Sequence, residues 1–181
     1  TCNSYNMLKL SKHLFLADPS SKYMDYYERT TYNHILSSQH PEGGFVYFTP
    51  IRPRHYRVYS EAQHSFWCCV GSGLENHGKY GELIYAHDKE NLYVNLFIPS
   101  TLNWKEKGIT LTQNTKFPFE EQSSLTLTLK KPKQFAIKFR YPSWIEEGKM
   151  KVLVNNKEIN VAKDQNSYIS IDRKWKTGDL I

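Results

Sequence analysis

Residues 123–140, SSLTLTLKKPKQFAIKFR, carry the clearest structural pattern of the 181-residue chain. Leucine alternates with threonine in LTLTL (125–129), and large apolar residues alternate with alanine and lysine in FAIKF (135–139). Successive side chains of a strand point to opposite faces of a sheet. This period of two therefore predicts two strands, each with one buried face.

The same period recurs on both sides of this stretch, from Leu92 to Phe97 and from Ile169 to Ile171. In VLVNNKEINV (152–161), two apolar runs flank an Asn-Asn pair, which favours a hairpin. Short strands separated by frequent turns are typical of a sandwich, and we predict an antiparallel β-sandwich for residues 89–181.

The two ends of the chain suggest a longer protein. The last five residues, TGDLI (177–181), resemble the beginning of another strand, and the first residue is Thr1 instead of Met. We expect the β-sandwich to be incomplete at its C-terminus.

Residues 1–88 show helical periodicity instead, which makes the predicted fold class α+β. In the first helix Met7, Leu10 and Leu14 share one face, and Leu8 and Phe15 cover an adjacent one. A helix that is apolar over so wide an arc is expected to pack on more than one side.

Two further helices and one long loop complete this half. The second helix is predicted to begin after the DPSS stretch (18–21) and to run to about Ser38. Residues 40–67 have no helical period, and a loop of this length is more often functional than idle. Helical period returns over residues 69–85, where four glycines suggest close approach of backbones; they are Gly71, Gly73, Gly78 and Gly81. The change of period near Asp88 predicts the domain boundary.

Composition argues against several partners. The net charge is +6, but the lysines are scattered, so we expect no nucleic-acid partner. No apolar run reaches 18 residues, so no membrane span is expected. Aromatic residues make up 14% of the chain. They serve either as core or as faces for stacking on sugars, and core is the commoner role. Nothing in the sequence specifies an oligomeric state.

The three cysteines, Cys2, Cys68 and Cys69, are the residues best suited to chemistry. Adjacent cysteines rarely bridge to each other, whereas thiolates are zinc ligands and strong nucleophiles. The paired Cys-x-x-Cys spacing of structural zinc sites is absent, and a fourth ligand such as His64 would be needed. Three buried, inert cysteines are the competing interpretation, and spacing alone leaves both open.

Glu28 lies in the middle of the second predicted helix, between aromatic residues. An ion pair with a nearby basic residue is the commoner fate of a helical glutamate. If the side chain faces a cavity, it could bind substrate hydroxyls or take part in proton transfer.

Four stretches resemble the bacterial glycoside hydrolases of family 127 and its relative, family 146, the β-L-arabinofuranosidase group once known as a domain of unknown function. They are TCNSYNMLKL (1–10), YERTTYN (27–33), GGFVYF (43–48) and FWCC (66–69). The resemblance implies that residues 1–88 are the C-terminal part of an (α/α)6 catalytic barrel and residues 89–181 a β-sandwich domain. It also implies a secreted or periplasmic bacterial enzyme that degrades plant glycans.

The resemblance further implies an active-site zinc held by one Glu and three Cys, which correspond to Cys2, Cys68 and Cys69. Cys68 corresponds to the nucleophile of a retaining glycosidase, Glu28 to a carboxylate at the substrate hydroxyls, and Tyr47 to an active-site tyrosine. The zinc-binding Glu would fall just before Thr1, and the general acid/base further upstream. We therefore expect the isolated chain to be inactive and to bind zinc weakly or not at all. The alternative is that the β-rich half is a non-catalytic carbohydrate-binding or structural module.

Overall fold

The computed structural model describes residues 1–181 and has an α+β fold. Two compact units divide the chain. The first comprises Thr1–Pro19 and Tyr23–Glu82, and the second comprises Ser20–Lys22 and Leu83–Ile181. No helix is both long enough and apolar enough to cross a membrane.

Helix α1 (Cys2–Ala17) is packed on one side only. Its buried residues include Leu8 and Phe15. Met7, Leu10 and Leu14, which the sequence suggested would also be covered, are 38–46% exposed. The expectation of packing on more than one side is therefore wrong for the structure of these 181 residues.

The second predicted helix has the expected length but takes three forms. Helix α2 (Ser21–Thr30) continues as a π-helical turn (Thr31–Ile35) and ends in a 3-10 turn (Leu36–Ser38). The end near Ser38 is confirmed. A π-helical turn carries one more residue than an α-helical turn, and apolar periodicity does not reveal it.

The long loop and the third helix pack against each other. Residues 40–67 form only isolated bridges, as predicted. Helix α3 (Cys68–Asn76) is shorter than the sequence suggested, because turns follow it. A Cβ on Gly73 would lie 2.9 Å from the Phe45 ring, so the predicted close approach is confirmed there. It is wrong at Gly81, which faces open space.

The second unit begins with a strand inside the region that was predicted to be helical. It contains nine strands: β1 (Tyr85–His87), β2 (Asn91–Val94), β3 (Ser100–Trp104), β4 (Ile109–Thr115), β5 (Ser123–Leu129), β6 (Lys133–Arg140), β7 (Val152–Val154), β8 (Lys157–Ile159) and β9 (Tyr168–Trp175). They form three sheets with the orders β1-β2-β6-β9, β3-β4-β5 and β7-β8. Every pair is antiparallel except β2–β6, which is parallel and corrects the prediction of purely antiparallel pairing.

The alternating apolar residues of the stretch 123–140 form part of the core, as predicted. Leu127 and Ile137 are fully buried, and apolar residues of all three sheets share one hydrophobic cluster. The predicted hairpin is β7–β8, with Asn155 and Asn156 at φ of 52° and 63°. Asparagine tolerates this left-handed conformation better than most residues.

Candidate metal centre

Two helix N-termini bring the three cysteines together. Cys2 is the first residue of α1, and Cys68 and Cys69 are the first two residues of α3. The Cys2 sulfur lies 3.1 Å from that of Cys68 and 3.2 Å from that of Cys69. The three sulfur atoms all lie within 4.8 Å of one another. The positive end of a helix dipole favours an anionic sulfur at such a position.

The three thiols differ in their accessibility. Cys68 is exposed, Cys2 is half-buried and Cys69 is buried. The cysteines are therefore not three separately buried residues. Cys68 is the one of the three that is exposed to solvent.

Hydrogen bonds and burial shift the pKa values of the two less exposed thiols in opposite directions. Burial raises the pKa of Cys69, but hydrogen bonds donated by the Cys2 N–H and by Thr1 outweigh it and lower the pKa to about 7. At Cys2 the Ser72 hydroxyl lowers the pKa, whereas the Cys68 side chain and burial raise it, and the net change is upward. The pKa of Cys69 is therefore held below, and that of Cys2 above, the ordinary value of a thiol.

The donor set suits a soft metal ion. Thiolate sulfurs are preferred ligands of zinc, and sulfurs in one tetrahedral zinc site lie about 3.8 Å apart. The two separations from the Cys2 sulfur, 3.1 and 3.2 Å, are shorter than this, and all three sulfurs lie within 4.8 Å of one another. The residues fit three of the four ligands of a zinc ion.

No fourth ligand joins the cluster among residues 1–181. The group of possible ligand side chains contains the three cysteines and no histidine or carboxylate. His64, the nearest candidate by sequence, is exposed and outside this group, so that suggestion is wrong.

The other two candidate residues are placed differently. The backbone carbonyl of Tyr47 lies 3.3 Å from the backbone nitrogen of Thr1, which in turn lies 3.4 Å from the Cys69 sulfur. The loop that carries Tyr47 therefore lies beside Thr1, which contacts the thiol cluster. The Tyr47 ring packs edge-on against Phe48. Glu28 is buried on α2, 5% exposed, and is not part of the thiol group.

Sequence reasoning missed Ser72. Its hydroxyl lies 2.7 Å from the Cys2 sulfur. Ser72 follows Cys68 by four residues on α3, which places both on the same face of the helix. That spacing was the only signal available, and it gains meaning once α1 is known to lie beside α3.

Solved structures with the same fold are glycoside hydrolases. A GH127 β-L-arabinofuranosidase from Geobacillus stearothermophilus T6 matches with a TM-score of 0.82 at 21% identity, over 99% of this chain and 30% of that one. A protein described as a glycoside hydrolase gives 0.83 at 26% identity, over 99% and 31%. A GH127 β-arabinofuranosidase gives 0.80 at 26% identity, again over 99% and 31%. The chain thus spans about 30% of the length of these structures.

Family models give the more specific assignment. The catalytic-domain model of GH127 β-L-arabinofuranosidases matches residues 1–82, and the GH127 middle-domain model matches residues 91–181. No curated protein matches the sequence. The chain belongs to the GH127 β-L-arabinofuranosidase family of glycoside hydrolases.

Proposed function

We propose that this chain is part of a retaining glycosidase that removes terminal β-L-arabinofuranosyl or related residues from plant glycans. The observation that carries the proposal is the meeting of Cys2 with Cys68 and Cys69 across more than 60 positions of sequence. Membership of the GH127 family supports the reaction class. In this proposal the first unit belongs to an (α/α)6 barrel, the second is a β-sandwich domain, and the enzyme is secreted or periplasmic.

Cys68 is the proposed nucleophile, because a nucleophile must reach the anomeric carbon and this sulfur is the exposed one. Its thiolate attacks that carbon, the bond to the leaving oxygen breaks, and a general acid protonates the oxygen. Water then attacks the anomeric carbon from the face that the leaving group vacated, the carbon–sulfur bond breaks to release the thiolate, and this second inversion restores the original anomeric configuration. The general acid comes from outside these 181 residues.

Cys2, Cys68 and Cys69 would hold a zinc ion, which when bound would keep the thiols deprotonated at neutral pH. Ser72 orients the Cys2 sulfur through its hydroxyl. Glu28 and Tyr47 are proposed to bind the hydroxyl groups of the sugar.

The nucleophile is tested with Cys68→Ser in a protein that also carries the upstream segment. We expect hydrolysis of an aryl β-L-arabinofuranoside to fall by at least 10³-fold, as it does when other covalent nucleophiles are removed. An electrophile that mimics the sugar should add its mass to the peptide containing Cys68. Ser72→Ala keeps all three sulfurs and serves as the matched control that should still be labelled. Retained hydrolysis in Cys68→Ser, or labelling at another residue, would contradict the assignment.

Residues 1–181 alone are proposed to be inactive and to hold zinc weakly, because three thiols leave one zinc position without a protein ligand. Metal analysis after dialysis should find well below one zinc per chain. Stoichiometric, tightly held zinc, or hydrolysis by the isolated chain, would overturn this expectation.

A further inference from the structure

A second candidate site lies within the β-rich unit. A cavity of about 320 Å³ opens where the β1–β2 turn, the β3–β4 turn and the start of β6 meet. Small-molecule sites range from about 300 to 1,000 Å³, so this cavity has room for one small ring. Three lysines and two carboxylates line it: Lys89, Lys107, Lys133, Glu90 and Asp172.

Two of these lysines are held by hydrogen bonds to backbone carbonyls at the cavity. The ammonium of Lys107 donates to the backbone carbonyl of Lys89 at 2.9 Å, and that of Lys133 donates to the carbonyl of Lys107 at 3.3 Å. Both lysines are only half exposed, and neither forms an ion pair with a carboxylate of the chain. An ammonium has three N–H donors, so each retains capacity for an anionic partner.

A buried tryptophan adds a donor that the protein does not use. Trp104 lines the same cavity, is 6% exposed, and its indole Nε1–H has no acceptor in the structure. The Lys107 ammonium lies 5.5 Å from the centre of the Trp104 ring. Buried indole N–H groups normally find a partner, but this nitrogen is enclosed by protein, so a ligand oxygen could reach it only after the Trp104 ring shifts.

The mixture of charges selects the ligand. The ammonium groups of Lys107 and Lys133 favour an anion, but Glu90 and Asp172 would repel a simple one such as phosphate. Carboxylates accept hydrogen bonds from hydroxyl groups, so a ring that carries both a carboxylate and hydroxyls satisfies every group. We propose that this cavity binds a uronate, the carboxylate form of a sugar, with its carboxylate toward Lys107 and Lys133.

The choice of a sugar acid over other hydroxy acids rests on the proposed function as a glycan-active enzyme. The binding itself does not depend on the catalytic thiols, and hydrolysis of the aryl arabinofuranoside is measured separately. If the protein that also carries the upstream segment binds the uronate but does not hydrolyse the aryl arabinofuranoside, the proposed function alone is contradicted. Loss of uronate binding with normal hydrolysis would count against this site alone.

Saturation-transfer NMR with methyl β-D-glucuronide tests the site. We expect binding by the wild type, and at least a tenfold weaker affinity for Lys107→Met and for Lys133→Met. The control Lys131→Met removes the same charge from a neighbouring exposed position and should bind normally. Methyl β-D-glucoside and inorganic phosphate should not compete.

Three results would overturn the proposal. The first is no binding by the wild type, and the second is wild-type affinity in Lys107→Met and Lys133→Met. The third is displacement by phosphate at equal concentration, which would indicate a plain anion site. Lys107→Arg keeps the charge and should restore binding. It therefore separates loss of the ligand contact from loss of folding.

Discussion

At the residue scale, position in the fold decides what identical side chains can do. Cys68 and Cys69 are neighbours in sequence, yet one is exposed and the other buried. The buried thiol receives hydrogen bonds from the start of α1, and the exposed one remains accessible. The division of roles that we propose between nucleophile and ligand follows this difference in exposure.

Asp179 shows the same dependence on surroundings. Its carboxylate is 7% exposed and accepts hydrogen bonds from the Asn155 side chain at 2.9 Å and from the Lys176 N–H at 2.8 Å. Burial raises the pKa of Asp179, but these bonds and the positive charges of Arg173 and Lys176 outweigh it. The pKa is therefore held below its ordinary value.

We predict that Asp179→Asn lowers the free energy of unfolding at pH 7 by about 1 to 2 kcal/mol, because the amide keeps only one acceptor oxygen, so one of the two hydrogen bonds is lost and the other is made to a neutral group. Because the folded pKa lies below the unfolded one, the contribution is complete above about pH 4 and disappears as pH falls through the folded pKa. Urea unfolding at pH 7 and pH 3 should show the difference narrowing at pH 3.

The control for this prediction is Asp172→Asn, at an exposed carboxylate that accepts one side-chain bond from Gln134. It should change stability little at either pH. A difference for Asp179→Asn that is the same at pH 3 and pH 7 would contradict the role of the charge.

At the element scale, the close packing of α3 against the loop of residues 40–67 depends on the small size of one glycine. A Cβ on Gly73 would meet the Phe45 ring at 2.9 Å, whereas a Cβ on Gly71 would meet its nearest neighbour at 3.9 Å. Phe45 also stacks on His77, so its ring has little freedom to withdraw. Replacing each of these two glycines with alanine should therefore change the stability of the protein in opposite directions.

We predict that Gly71→Ala stabilises the protein by up to about 1 kcal/mol, because alanine favours the helix. Gly73→Ala should destabilise it by about 1 to 3 kcal/mol through overpacking against Phe45. Thermal unfolding of the two variants measures the difference. If both variants changed the melting temperature in the same direction, the contact between Gly73 and Phe45 would not be limiting the side chain at that position.

At the scale of the whole molecule, one apolar cluster connects the three sheets of the second unit. Leu127 on β5 is fully buried in it, whereas Leu153 on β7 is 45% exposed. We predict that Leu127→Ala costs about 2 to 5 kcal/mol and that Leu153→Ala costs far less. Denaturant unfolding followed by circular dichroism provides the measurement. Equal losses in the two variants would show that burial in this cluster is not what stabilises the sheets.

The sequence by itself determined which residues of β5, β6 and β9 face the core, because strand alternation is a local property that needs no knowledge of the neighbours. It also determined the Asn-Asn hairpin and, through its motifs, the family. It failed at the end of α3, at strand β1 and at the parallel β2–β6 pair, since these depend on which segment lies alongside.

The candidate site divides in the same way. The residue types of Cys2, Cys68 and Cys69 indicated metal or nucleophilic chemistry, but spacing alone favoured three inert core cysteines over that interpretation. The packing of α1 against α3 determines the sulfur separations and leaves Cys68 exposed. It also places Ser72 beside Cys2 and leaves His64 outside the cluster. These are distances between segments far apart in sequence, and only tertiary contacts fix them.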